Sequence, residues 1–503
     1  MQFPRKRLST DTGLYFAHMT LFGSWLLGAV LAVSQASADE SCDLVIRGGR
    51  VMDPESGTDA VRDVGITGGR IVRISQRELS GRRVLDAKGL VVAPGFIDLH
   101  QHGQNPENDR LKVQDGVTTA LELEIGVPEV GAFLKRREGK ALVNFGASAS
   151  HPWARVAAWG QPLPPATGEE ILPAAGPATD EAASPERIHA MQERLRSELA
   201  AGALGVGVGI NYTPGAEHLE MIEIFRVAAE RGVPLWPHIR AAGYSEPGSS
   251  VESVAEVIAA AAVTGAPLHI VHINSMGLGQ VFECLRMIEG ARARGLDVTT
   301  EAYPYGWGMT MLNSALFNPG WRERMRIDYS DLRLVATGEP LSKESFDRLR
   351  AESARVSVLV RGNPDERVDA VIRHPLVMIA SDGLVSGGKG HPRTAGTYSR
   401  ILKHYVRELR SVTLMDAIRK MSLMPAQRLE AATPQGRGKG RIREGADADV
   451  VVFDPEAVAD QSTYEEPSRP STGFKYVLVG GVAVVDEGRV VESVRPGRAL
   501  LGR

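Results

Sequence analysis

Short apolar runs bounded by pairs of glycines occur at both ends of the chain. One set lies within residues 44–74 and the other within 450–491. Runs of this length that end in glycine-rich turns are typical of strands. Because the two ends of a domain commonly lie close together, we predict a small β-sandwich domain built from residues 39–93 and 436–503.

Residues 94–435 follow a different pattern, in which strand-like runs alternate with helix-like stretches. Eight repeats of strand and helix predict a (β/α)8 TIM-like barrel, with a doubly wound α/β sheet as the alternative. Two long segments, 156–184 and 304–374, are predicted to cover the site. The eight runs are the one ending at His100 and those at 117–125, 141–147, 203–210, 234–239, 267–273, 298–303 and 376–381.

The beginning of the chain predicts export. Residues 1–38 combine a basic stretch at 5–7, an apolar run at 21–33 and a small-x-small site at 36–38, as in a signal peptide. The apolar run is short for a membrane span, although an uncleaved anchor is the alternative. We expect a periplasmic or secreted protein without a stable membrane span after cleavage. The net charge of -3 gives no indication of nucleic-acid binding, and homo-oligomerisation is left open.

Metal-ligand chemistry occurs where the predicted strands end. His100 and His102 leave the first strand two residues apart, so both point to one face. Imidazoles and carboxylates are ligands for zinc-like ions, and such barrels carry their chemistry at the C-terminal strand ends. The sequence therefore predicts a centre of four histidines and a bridging carboxylate for one or two zinc ions. The predicted ligands are His100, His102, His238, His272 and Asp382, with Glu122 or Glu124 as the bridging carboxylate.

Several segments resemble the amidohydrolase superfamily and, within it, the N-acyl-D-amino-acid deacylases (D-aminoacylases). The superfamily-wide segment is Pro94-Gly95-Phe96-Ile97-Asp98-Leu99-His100-Gln101-His102. Tyr303-Pro304-Tyr305 and His391-Pro392-Arg393 are more specific to the deacylases, and the resemblance covers residues 42–500. It implies hydrolysis of the amide bond of N-acyl-D-amino acids by metal-activated hydroxide. A dipeptidase, a cyclic-amide hydrolase or a lactone/ester hydrolase on the same site is the alternative.

The resemblance also implies roles for single residues. His238 and His272 match the family's tight metal site, and His100 and His102 match its weaker one. Asp382 matches the catalytic acid and base, a role that suits a free carboxylate beside the reacting water. A substrate with a carboxylate would be held by Arg393, Tyr303 and Tyr305, and a guanidinium binds carboxylates bidentately.

Two departures from the family pattern concern the second and sixth strands. The family's bridging cysteine is absent, and a glutamate is the natural substitute; Glu124 is favoured over Glu122 because it lies nearer the strand end. Asn274 stands where the family usually has a lysine that reaches the substrate. We therefore do not expect a preference for acidic substrates.

Weaker signals complete the predicted substrate site. His151 follows the third strand and could polarise the scissile carbonyl, or serve as a structural loop histidine. Tyr212 could line the pocket or pack in the core. Met276 and Trp307 could line an apolar acyl pocket or belong to the core.

Overall fold

The structure, a computed structural model, describes residues 41–166, 172–352 and 356–503. The predicted signal peptide lies outside the described residues. In chain order the strands are β1 (Cys42–Asp53), β2 (Thr58–Thr67), β3 (Arg70–Ser75), β4 (Gly81–Asp86), β5 (Val91–Pro94), β6 (Phe96–Asp98), β7 (Val117–Val127), β8 (Asn144–Ser150), β9 (Val206–Gly209), β10 (Leu235–His238), β11 (Leu268–Ile270), β12 (Val298–Ala302), β13 (Trp307–Met311), β14 (Leu332–Leu334), β15 (Ser357–Arg361), β16 (Val377–Ile379), β17 (Val385–Ser386), β18 (Lys389–Gly390), β19 (Val450–Phe453), β20 (Phe474–Val479), β21 (Val482–Asp486) and β22 (Arg489–Val490).

The helices connect and cover these strands. They are α1 (Pro106–Gln114), α2 (Val130–Arg137), α3 (His151–Ala158), α4 (Pro177–Asp180), α5 (Pro185–Ala200), α6 (His218–Arg231), α7 (Ser250–Thr264), α8 (Ile273–Gly277), α9 (Val281–Ala293), α10 (Trp321–Met325), α11 (Lys343–Ala351), α12 (Asp365–Arg373), α13 (Arg393–Arg400), α14 (Leu414–Ile418) and α15 (Met424–Leu429).

Eight parallel strands form the barrel, in the order β6-β7-β8-β9-β10-β11-β12-β16. The ring closes just beyond the first and last strands, where Gln101 and Gly383 form a parallel bridge. There the backbone N–H of Asp382 donates to the carbonyl of His100 at 2.7 Å. Each predicted run supplies one strand, so the predicted barrel is confirmed.

The local sequence explains why strands and helices alternate. Strand β7 is buried along its whole length, as expected of a parallel strand covered on both faces. Helix α7 begins after Ser249, whose hydroxyl accepts a hydrogen bond from the N–H of Glu252, and ends at Gly265 with a φ of 76°. Both are standard helix-end signals. They return the chain to the barrel, where each fully buried valine or leucine contributes about 1.5–3 kcal/mol.

Both ends of the chain build the smaller domain, as predicted. Strands β1–β5 and β19–β22 form one nine-stranded sheet, joined where β5 runs antiparallel to β19. Residues from both ends, including Ile46, Val64 and Leu478, share one apolar core. The final residues leave this sheet and lie along the barrel, where Leu500 N–H donates to the carbonyl of Phe145 at 2.8 Å.

Two segments lie above the C-terminal ends of the barrel strands. Residues 304–374 contain the three-stranded sheet β13-β15-β14, and residues 172–180 include α4. Both segments contribute residues to the main cavity. Among the helices of the described residues, none has the length and apolar character needed to cross a membrane.

Candidate metal centre

The strand ends bring all six predicted metal ligands into one buried cluster. The donor atoms form two groups that share Glu124, and within each group all donors lie within 4.8 Å of one another. The first group is His100, His102, Glu124 and Asp382. The second group is Glu124, His238 and His272.

The first group has the dimensions of a tetrahedral metal site. The Nε2 atoms of His100 and His102 lie 3.3 Å apart, and each lies 3.2 Å from Glu124 Oε2. Their distances to Asp382 Oδ1 are 3.4 and 3.3 Å. Four ligands at zinc-like bond lengths of about 2.0–2.1 Å would lie about 3.3 Å apart. The donor set therefore fits a zinc-like ion without rearrangement.

The second group offers three protein donors. Glu124 Oε1 lies 2.8 Å from His272 Nε2, and the His238 and His272 rings are 4.7 Å apart. His238 Nδ1 lies 3.1 Å from its neighbouring backbone carbonyl, that of Ile239, which leaves Nε2 free. Three protein ligands leave a fourth coordination position, as in catalytic rather than structural zinc sites.

Glu124, and not Glu122, occupies the bridging position. One carboxylate oxygen of Glu124 faces each group of donors. Glu122 lies beside them and accepts a hydrogen bond from His102 Nδ1 at 2.7 Å. This arrangement agrees with the prediction that the glutamate nearer the strand end is the bridging one, since Glu124 belongs to both donor groups and Glu122 to neither.

Carboxylates behind the first pair of histidines fix their orientation. Glu301 accepts a hydrogen bond from His100 Nδ1 at 2.7 Å, as Glu122 does from His102. Such contacts select the tautomer that directs Nε2 to a metal. Sequence reasoning missed Glu301, although it lies two residues before Tyr303 on the same strand face. That spacing in a buried strand was the signal available.

The carboxylates and imidazoles of the cluster shift each other's pKa values. Burial opposes protonation of His100 and His102, yet the surrounding carboxylates raise their pKa values well above normal. Burial likewise opposes ionisation of Glu124, but His100 and its neighbours hold its pKa well below normal. Protons on the imidazoles thus balance the carboxylates, and metal binding would release them.

The surroundings of His238 and His272 differ from those of the first pair of histidines. Burial lowers the pKa of His238 to about 4, so its imidazole is neutral near neutral pH. His272 Nδ1 is buried and has no hydrogen-bond partner in the described part of the chain. A neutral imidazole at His238 is in the form that binds a metal ion.

Two of the ligands lie at strained backbone positions. His272 has a φ of 29° and Asp382 a φ of 52°, a region that non-glycine residues rarely adopt. Each follows the end of a barrel strand and turns sharply toward the centre. Strain of this kind occurs at functional sites, where the surrounding structure enforces it.

A buried ion pair supports the first and last strand ends. Lys112 Nζ lies 2.8 Å from Asp98 Oδ2 and donates to Ser381 Oγ at 2.7 Å. Asp98 Oδ1 accepts from the backbone N–H groups of His100 and Ser381, at 3.2 and 3.0 Å. These bonds join β6 to β16 and hold the backbone that carries His100 and Asp382.

Three of the predicted substrate residues lie in the cavity above the metal ligands, which has a volume of about 760 Å³. Arg393 is buried, pairs with Asp382 at 2.8 Å and stacks over the Tyr303 ring at 4.4 Å. Its Nε is buried and has no hydrogen-bond partner among the described groups. The Tyr212 ring packs 4.6 Å from that of His238.

The other three predicted substrate residues lie elsewhere, and their assignments are corrected. His151 directs Nε2 to Glu220 at 2.7 Å, because α3 begins directly after β8 and turns this side chain away from the cavity. Asn274 donates to the backbone carbonyl of Tyr303 at 3.0 Å and is fully buried. Tyr305 packs against His391, Arg400 and Tyr464.

The two apolar residues predicted for an acyl pocket, Met276 and Trp307, line different cavities. Met276 lines the main cavity, whereas Trp307 lines a smaller one with Arg333 and Tyr464. The Arg333 guanidinium lies 4.9 Å from the centre of the Trp307 ring. Only the methionine therefore remains a pocket residue of the metal site.

Comparisons with known proteins agree with this geometry. A model of the amidohydrolase family matches residues 161–485. N-acyl-D-glutamate deacylase of Alcaligenes xylosoxydans xylosoxydans is 33% identical over 92% of this chain and 97% of its own length. D-aminoacylase of the same organism is 31% identical over 92% of this chain and 98% of its own.

A solved structure extends the likeness to three dimensions. N-acyl-D-glutamate deacylase from Bordetella bronchiseptica, complexed with zinc and a phosphonate inhibitor, superposes with a TM-score of 0.77. It is 28% identical, and the match covers 92% of this chain and all of the other. The chain therefore belongs to the amidohydrolase family and, within it, to the D-aminoacylases, hydrolases of carbon–nitrogen bonds other than peptide bonds.

Proposed function

We propose that this protein hydrolyses the amide bond of N-acyl-D-amino acids, using one or two zinc ions held by the six converging residues. The observation that carries the proposal is the pair of donor groups bridged by Glu124, with Arg393 beside them in one cavity. Relatives that share this fold are N-acyl-D-amino-acid deacylases by name, and one was solved with zinc.

The side chains around the cavity have different roles in amide hydrolysis. Arg393, pre-oriented by Tyr303, binds the substrate carboxylate and so places the amide over the donor groups. A divalent ion held there supplies Lewis acidity, which makes hydroxide available from water near neutral pH.

Asp382 transfers the proton. Burial opposes its ionisation, but the guanidinium of Arg393 and the imidazole of His100 hold its pKa below the usual value. The carboxylate is therefore ionised at the start and takes the proton of the attacking water. Delivering that proton to the leaving nitrogen restores the carboxylate and releases a free amino acid and a carboxylic acid.

A substrate panel with metal control tests the proposal. N-acetyl-D-amino acids, their L-enantiomers, dipeptides, cyclic amides and lactones are assayed before and after chelation, and again after zinc is restored. We expect D-selective release of amine that is lost on chelation and recovered with zinc. Turnover confined to dipeptides, cyclic amides or lactones would overturn the substrate assignment, and turnover unaffected by chelation would overturn the metal assignment.

We also propose that the protein is exported to the periplasm or secreted. The support is the basic, apolar and small-x-small order of residues 1–38. N-terminal sequencing of the protein recovered after expression with its complete N-terminus should begin at residue 39. An intact N-terminus on protein found in the cytoplasm would contradict export.

A further inference from the structure

The cavity has two chemically different ends. Its inner end holds the metal ligands, Arg393 and Tyr303. Its outer part contains apolar side chains, several of them methionines, which adapt to varied apolar shapes, and polar side chains such as Asn313, Ser314 and Asn318 lie among them. The apolar residues of this outer wall are Leu278, Met309, Met311, Leu316, Met325 and Ile327.

The cavity is much larger than the smallest substrate of the proposed reaction. N-acetylleucine has about twelve heavy atoms, which at about 30 Å³ each, the share of a water molecule in the liquid, fill less than half of the cavity. The cavity volume is about 760 Å³. The remaining space lies against an apolar wall, so an apolar substituent of the substrate would gain from filling it.

The positions of the two ends around the barrel indicate which substituent this is. Arg393 follows β16, the eighth barrel strand, and holds the carboxylate of the amino-acid half. Met276 and Leu278 follow β11, the sixth strand, and Ala242 follows β10. In a trans amide the two halves extend to opposite sides of the bond. With the amino-acid half directed to β16, the acyl half extends across the ring toward β9 and β10, next to the residues that follow β11.

The covering segment completes the wall over this side. Strand β13 passes above the ligands, with Gly308 facing the Tyr303 hydroxyl at one end and Thr310 3.4 Å from the Tyr212 hydroxyl at the other. Met309 and Met311 alternate with Gly308 and Thr310 on the other face of the same strand and also line the cavity. The acyl half would therefore lie beneath β13 and beside the residues that follow it.

Few charged groups interrupt this wall in the described part of the chain. Arg350 lines the rim, donates to the backbone carbonyl of Leu312 at 3.3 Å and lies over the Phe346 ring. Asp180 lines the opposite rim and is exposed. An apolar chain can thus be buried without stripping water from an unpaired charge.

We infer that the outer wall is an acyl-chain subsite and that the preferred substrates carry an acyl group of six or more carbons. The inference rests on the proposed function, because it assigns the acyl half of the same amide. It predicts a chain-length preference that the inner end alone would not produce.

The experiment measures kcat/KM for N-acetyl-, N-butanoyl-, N-hexanoyl- and N-octanoyl-D-alanine with the zinc-loaded protein. Full burial of a methylene corresponds to about a fourfold gain. We expect kcat/KM to rise at least about tenfold from acetyl to octanoyl, mostly through KM. A flat series with clear turnover would overturn the subsite and leave the proposed function standing. No turnover of any member would overturn the proposed function itself.

A pair of matched variants locates the effect. Leu316→Gln places an amide in the wall and should reduce the octanoyl-to-acetyl ratio of kcat/KM about five- to tenfold. Leu349→Gln makes the same change at another half-buried leucine that does not line the cavity. It should preserve the ratio, and thermal melting verifies that both variants fold.

A second series separates the two halves of the substrate. N-acetyl derivatives of D-alanine, D-leucine and D-phenylalanine vary the side chain at constant acyl length. If Leu316→Gln weakens the preference in this series and not in the acyl series, the wall binds the amino-acid side chain and the inference is wrong. An unchanged acyl-chain ratio in Leu316→Gln would equally overturn it.

Discussion

Two clusters of buried histidine and glutamate can be compared in the described part of the barrel, and only the first has converging donors that could hold a metal ion. In the first, His100 and His102 contact Glu301 and Glu122 through Nδ1, which leaves both Nε2 atoms directed at one point. In the second, His151 contacts Glu220 through Nε2.

The second cluster has no free donors that converge. The other oxygen of Glu220 pairs with Arg155, whose remaining nitrogens donate to the backbone carbonyls of Ala178 and Glu181. The cluster thus ties the segment around α4 to the barrel. Burial and a carboxylate partner are common to both clusters, so convergence of unoccupied ring nitrogens is what distinguishes a metal site.

The largest effect is expected at Asp382, the carboxylate that joins the metal ligands to Arg393. Asp382→Asn removes the proton acceptor and should lower kcat about 10²- to 10⁴-fold on an N-acyl-D-amino acid. Asp180→Asn, in the rim of the same cavity, is the matched control and should retain wild-type kcat. Turnover near wild type in Asp382→Asn would contradict its role as acid and base.

Metal content compares the two clusters directly. His272→Ala removes one of three donors in the second group and should reduce bound zinc by one ion per chain, as measured by elemental analysis. His151→Ala should keep the wild-type zinc content, because this side chain contacts only its own cluster. Equal losses in the two variants would remove the distinction drawn between the clusters.

A smaller effect on zinc binding is expected at Glu301, which contacts the metal ligand His100 from outside the donor groups. Glu301→Gln keeps the size of the side chain but weakens its acceptance from His100 Nδ1, and should lower zinc affinity about 10- to 100-fold. Competition with a chelator of known affinity measures the change. Glu220→Gln, which alters the carboxylate of the second cluster, serves as the control. A zinc affinity unchanged in Glu301→Gln would show that His100 needs no carboxylate to orient it.

The smallest effect concerns stability and pH. Burial lowers the pKa of His151 below its usual value, against the opposing effect of Glu220. Below about pH 6.5 the His151 imidazole therefore binds a proton in the unfolded chain but not in the folded chain. The free energy of unfolding consequently decreases as the pH falls below about 6.5, by up to about 1.4 kcal/mol per pH unit. His151→Gln should flatten the fall in melting temperature between pH 7.5 and 5 in chelator-treated protein. An identical slope in both proteins would contradict this assignment.

Much of the fold was predictable from the sequence because strand and helix signals are local. Each of the eight barrel strands is a short apolar run, and each run could be located without knowing its neighbours. The residues that follow these runs must meet at one end of a closed parallel barrel. The positions of His100, His102, His238, His272 and Asp382 follow from that rule.

The direction of a side chain was harder to predict than its position. Glu122 and Glu124 share one strand face, and the bridge between Glu122 and His100, at the ends of the neighbouring strands β7 and β6, shows that Glu124 lies one step nearer the donors. His151 follows a strand as His100 does, but Ser150 caps a helix there, its hydroxyl accepting from Trp153 N–H. That cap turns His151 out of the site.

Contacts between distant parts of the sequence determine where the side chains of Asn274, Tyr305 and Glu301 lie. Asn274 and Tyr305 flank the site in sequence, yet each is held by backbone or ring contacts that involve distant segments. Glu301 was overlooked because its partner, His100, lies about 200 residues away. No local pattern reveals which buried carboxylate will meet which imidazole.

The joining of β5 to β19 has a consequence for synthesis of the chain. Strand β5 emerges from the ribosome early, whereas β19 begins about 350 residues later. At about 5–20 residues per second the wait is about 20 to 70 seconds. During that time the apolar edge of β5 has no partner and is open to pairing with other chains. The barrel is complete in sequence before the small sheet can close, so production of this protein should benefit from slow expression or from chaperones that shield unpaired strands.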